Sequence, residues 1–104
     1  MDRIAQLEQF LAQQPNDSFL QHALALERIK QGELALARTL FETLLAREPS
    51  YVGSYYHLAK LYDQLGEGAL AEKTYETGIQ EARKAGDRHA QNELQMALDE
   101  LLDR

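Results

Sequence analysis

This 104-residue sequence predicts an all-α fold of antiparallel helix pairs, an α-solenoid of about six helices. Three observations carry that expectation. Laid on itself with an offset of 34 residues, the chain superimposes Pro15 on Pro49 and Gly32 on Gly66, and gives ten identities where ordinary composition would give about two. Apolar residues recur at helical rather than alternating spacing in each segment between those marks. Gly and Pro stand at the joints, where a helix must end or the chain must turn.

The elements follow in order. In residues 1–15, Ile4, Leu7, Phe10 and Leu11 share one apolar face of a helix, and the same offset places Leu7 on Phe41 and Leu11 on Leu45. This segment is therefore expected to be the second half of a degenerate repeat that serves as an N-terminal cap helix. Residues 16–49 form the first full copy. There Asn16, Asp17 and Ser18 offer N-caps, Ser18 and Gln21 have the spacing of a capping box, and Gly32 separates the two helices. Residues 50–85 form the second copy, with Ser50 as its N-cap candidate, Gly66 at the joint, and a second helix running to about Ala85 because no Pro stops it. Residues 86–104 open on Gly86-Asp87, a stop followed by a cap, and continue with Leu94, Ala97, Leu98, Leu101 and Leu102 on one face. That last helix is expected to cover an apolar face that would otherwise meet water.

Small and large apolar residues alternate as closely packed helices require. Ala25, Ala37, Ala59 and Ala71 let backbones approach, and Leu24, Leu58, Phe41 and Tyr75 fill the space beside them. In the second copy Tyr55, Leu58, Ala59, Tyr62, Gly66, Ala71 and Tyr75 follow one another, and in the first Leu24, Ala25, Gly32, Ala37, Phe41 and Pro49 do. On these residues, over positions 15 to 82, the chain resembles the tetratricopeptide repeat family. The resemblance implies a right-handed superhelical arrangement and a concave groove lined by the first helix of each pair. Gln21 and Arg28 depart from the pattern at slots where the family places aromatics, and Gly78 stands where it usually has Ala.

Composition excludes several functions. A net charge of −6 with no basic cluster argues against nucleic-acid binding. Arg83, Lys84 and Arg88 read instead as cations near a helix C-terminus. The absence of Cys removes thiolate metal sites, disulfides and cysteine nucleophiles. No apolar block follows the charged N-terminal residues, so neither a leader nor a membrane anchor is expected, and the chain reads as soluble and cytoplasmic. No pairing of nucleophile and base points to an enzyme. His22, His57 and His89 lack the spacing of metal ligands, so neither a metal nor another cofactor is expected.

Candidate binding residues come from the groove slots that the resemblance implies. They are Phe19, His22, Leu26, Ile29 and Lys30 in the first copy, and Tyr56, His57 and Lys60 in the second. Family members that clamp a C-terminal carboxylate use Lys, Arg and Asn there, and most of this chain's first-copy slots are apolar. Phe19, Leu26 and Ile29 form a stripe apart from the packing face of Leu20, Leu24 and Ala25, which suits an amphipathic helix or apolar peptide of another protein. The alternative is a self-associating module, a homodimer through the same stripe.

Overall fold

The computed structural model describes residues 2–104. These hold six α-helices and no strand: α1 Arg3–Gln13, α2 Ser18–Lys30, α3 Leu34–Arg47, α4 Gly53–Gln64, α5 Gly68–Ala85 and α6 Arg88–Leu102. They fall into two compact units, Met1–Glu48 and Pro49–Arg104.

The helix ends are set locally. At the end of α2 the Gly32 amide donates to the Ile29 carbonyl and the Glu33 amide to the Arg28 carbonyl, with Gly32 at φ +75°. The same pair of bonds closes α4 around Gly66 (φ +77°) and α5 around Gly86 (φ +70°). This is the Schellman arrangement, in which a residue without Cβ takes the left-handed conformation at no steric cost. Asp2, Asp17 and Asp87 cap α1, α2 and α6 by accepting from the amides of Ala5, Leu20 and Ala90.

Two expected caps take other roles. Ser18 lies inside α2, so no Ser18–Gln21 capping box forms; Asp17, an anion at the positive helix end, takes the position. The Ser18 hydroxyl donates instead to Glu48, and Arg47 donates to both Ser18 and Gln21. Nor does Ser50 cap α4, which begins at Gly53 and has Val52 at its N-cap with no side-chain bond.

In the first unit α2 packs against α1 on one side and α3 on the other. Leu7, Leu24, Ala25, Ala37, Phe41 and Leu44 are its buried apolar side chains, each large one contributing about 1.5–3 kcal/mol through removal from water. Arg28 stands where an aromatic was the norm and holds Glu8 of α1 at 3.2 Å and Glu33 at 3.0 Å. Phe10, expected on the apolar face of α1, is 57% exposed. α1 packs chiefly against α2, and the face that meets it is centred on Leu7 with Ile4 and Leu11 half-buried at its margins.

In the second unit α5 packs against α4 and α6, and α4 also touches α6. Gly78 is required by that packing: a Cβ there would lie 2.7 Å from Tyr55 Cβ and 3.1 Å from Leu94 Cδ1. Tyr55, Leu58, Ala59, Ala71, Tyr75, Ile79, Ala82, Leu94 and Leu98 are buried. Leu102, expected on the packing face of α6, is exposed because that face is carried by Leu94 and Leu98 and ends before the last turn.

Candidate functional site

The sequence-derived residues lie on α2 in the first unit and on α4 in the second. On α2 they divide. His22 is half-buried, its ring edge-on to Phe41 of α3 at 5.6 Å, so it belongs partly to the helix interface. Leu26 and Ile29 are half-buried, Phe19 is 64% exposed, and Lys30 projects outward with its ammonium 3.4 Å from Glu27.

On α4 the three residues come together. Tyr56 and Lys60 are one turn apart and share a face, and the Lys60 ammonium lies 5.7 Å from the centre of the Tyr56 ring. The His57 ring stands edge-on to Tyr56 at 5.7 Å. Burial lowers the His57 pKa, and Glu93 on α6 opposes that shift.

Tyr56 and Lys60 form one wall of a concavity of about 400 Å³ within the second unit. That volume lies within the range of small-ligand and peptide-anchor sites. Tyr75 of α5 lines it from the core, and burial, with smaller contributions from Tyr56 and Asp63, pushes its phenol up to about 12. The opposite wall is α6, where His89, Glu93, Met96, Glu100 and Arg104 recur at three- and four-residue steps, which sets them along one stripe. Arg104 closes one end by donating to both Asp63 carboxylate oxygens, at 2.9 and 2.7 Å. That hydrogen bond, with the positive charge behind it, holds the Asp63 carboxyl below its usual range.

The α6 wall is what the sequence reading missed. α6 was expected only to cover an apolar face, and its buried residues Leu94 and Leu98 do so, but the adjacent stripe faces the concavity. The signal was present in Met96, an apolar residue off the packing face, between Glu93 and Glu100. Among the described residues no group of three or more His, Cys, Asp or Glu could hold a metal ion, and no helix is long and apolar enough to cross a membrane.

Comparison with known proteins identifies the fold. A tetratricopeptide repeat domain protein of Salinibacter ruber, determined in solution, is 42% identical, with a TM-score of 0.80 over 84% of this chain and 88% of that one. The crystal structure from the same organism is also 42% identical, with a TM-score of 0.79 over 82% of this chain and 96% of that one. A protein of Bordetella parapertussis solved in solution is 25% identical, with a TM-score of 0.84 over 99% of this chain and 90% of that one. None of the curated proteins compared with the chain matches it. The tetratricopeptide repeat family matches residues 28–99, and with the paired helices, the glycine-closed joints and the small residues at the packing faces, this chain belongs to that family.

Proposed function

We propose that the chain is a non-catalytic adaptor that holds a peptide or amphipathic helix of a partner protein. Tetratricopeptide repeats generally mediate protein–protein interaction, and their fold is generally non-catalytic. The observation that carries the reading is the concavity of the second unit, a lined recess that presents Tyr56, Lys60 and Tyr75 together. Phe19, His22, Leu26, Ile29 and Lys30 on α2 are the contacts proposed for the first unit by itself, and in the second the His57 ring stands edge-on to Tyr56. The adaptor acts without a cofactor and in the cytoplasm.

The test compares wild type with Tyr56→Ala and Leu26→Lys, each verified as folded by circular dichroism, in affinity capture from a lysate of the source organism. Loss of one and the same captured protein from both variants supports the reading. Capture that survives both substitutions removes it. The exposure of Phe10 and Phe19 in the first unit favours a second reading, self-association into a homodimer. Sedimentation equilibrium decides that point, since a Phe19→Ser variant would then shift from dimer to monomer mass.

A further inference from the structure

The second-unit concavity has a chemical asymmetry that specifies what it holds. Its α4 wall carries a tyrosine ring and one ammonium, which lies over that ring. Its α6 wall is acidic. Glu93 and Glu100 are seven residues apart on the same stripe, about 10 Å along the helix axis. Between them stands Met96, 72% exposed, a large thioether presented to solvent where an outer-face residue would ordinarily be polar. The guanidinium of Arg104 is engaged chiefly by Asp63, to which it donates twice, and feels Glu100 less strongly.

The floor adds an independent observation. Tyr75, from α5 rather than from either wall, is 3% exposed and lines the concavity. Its phenol carries a donor at the edge of a large apolar ring.

We propose that this concavity takes a basic amphipathic helix of a partner protein, with one apolar side chain seated between Tyr56 and Met96 above Tyr75 and two cations meeting Glu93 and Glu100. This rests on the adaptor reading and names the partner's chemistry. The two cations stand seven residues apart in the partner, flanking the anchor, as charged positions flank the seam of a helical pair. Charge sets orientation and register here, and the seated side chain supplies most of the affinity. The chain's net charge of −6 draws such a partner in.

The test uses the full chain and two short synthetic helical peptides with the same leucine anchor, one with lysines seven apart and one with glutamates at those positions. Amide chemical shifts locate binding, and titration measures it, against wild type and the Glu93→Lys/Glu100→Lys variant, whose substituted positions are exposed. The expected result is that the lysine peptide shifts Tyr75, Met96 and Glu100 and binds about tenfold more tightly than the glutamate peptide, with the preference reversed in the variant. Equal or tighter binding of the glutamate peptide in the same concavity overturns this inference and leaves the adaptor reading standing. If neither peptide shifts any concavity residue, both fall.

Discussion

The Tyr55 hydroxyl donates to the Pro49 carbonyl at 2.6 Å. Thirty-four residues earlier the Gln21 amide donates to the Pro15 carbonyl at 3.1 Å, so the two copies keep one hydrogen bond while exchanging the side chain that makes it. In both, the bond ties the start of a helix to the proline turn before it. The phenol also fills space against Gly78, whereas the amide joins the polar cluster of Arg47 and Ser18.

Removing only the hydroxyl isolates the bond. Tyr55→Phe should cost about 1 kcal/mol, which lowers the melting temperature by roughly 4–8 °C for a chain of this size. Thermal denaturation followed by circular dichroism checks this, and an unchanged midpoint would mean that the bond contributes nothing net.

One substitution acts by two mechanisms at two glycines. Gly78→Ala gains about 1 kcal/mol of helix propensity but forces a Cβ against Tyr55, and overpacking of this kind costs about 1–3 kcal/mol, so net destabilisation is expected. Gly66→Ala meets no atom within 4 Å and is instead strained by φ +77°, at about 1–2 kcal/mol. Urea midpoints of the two single variants check both, and an unchanged midpoint for Gly78→Ala would show that α4 can give way at Tyr55.

Alkaline pH should weaken the second unit. Tyr55 and Tyr75 are pushed up to about 12 in the folded chain, mainly by burial, against an ordinary value of 10.0. Their raised values favour the neutral phenol in the fold, so the stability they contribute is fully present below pH 10 and is lost as pH rises toward 12. Phenolate absorbance should show part of the tyrosine signal titrating late and together with loss of helix.

Acid acts through a different residue. Burial lowers the His57 pKa below 6.5, so the neutral imidazole is favoured in the fold and its contribution is lost as pH falls from 6.5 through the folded value. Removing Glu93, which favours the charged ring, should make His57 harder to protonate. Glu93→Gln is therefore expected to shift the His57 titration, read by NMR of the ring protons, to lower pH.

Ala59 tests the repeat packing itself. It is fully buried, and Ala59→Leu adds volume where helices are in close contact, so a loss of about 1–3 kcal/mol is expected in chemical denaturation. Unchanged stability would show that this position has room to spare.

Helix existence, order and joints were legible because they depend on local signals: the Gly at each left-handed position, the Asp caps of α2 and α6, and apolar spacing. Ser50 and the Ser18–Gln21 pair misled because a cap depends on where the first turn begins, which neighbouring residues decide. Phe10 and Leu102 misled for another reason. Periodicity gives a direction for the apolar face, and its width follows from how many helices press on it. That Tyr56 and Lys60 share one face of α4 was legible from repeat register, but that α6 stands opposite them was not. A stripe of His, Glu and Met with no apolar excess carries no periodic signal, and only the packing of α6 beside α4 and α5 brings it to the concavity.

Within each unit the main packing partners are neighbours in the chain, α1 with α2, α2 with α3, α4 with α5 and α5 with α6, and α4 reaches one helix further to touch α6. Little chain has to be closed into a loop before such contacts form, so the entropic barrier to folding is low. The main phase of refolding should therefore be over within milliseconds.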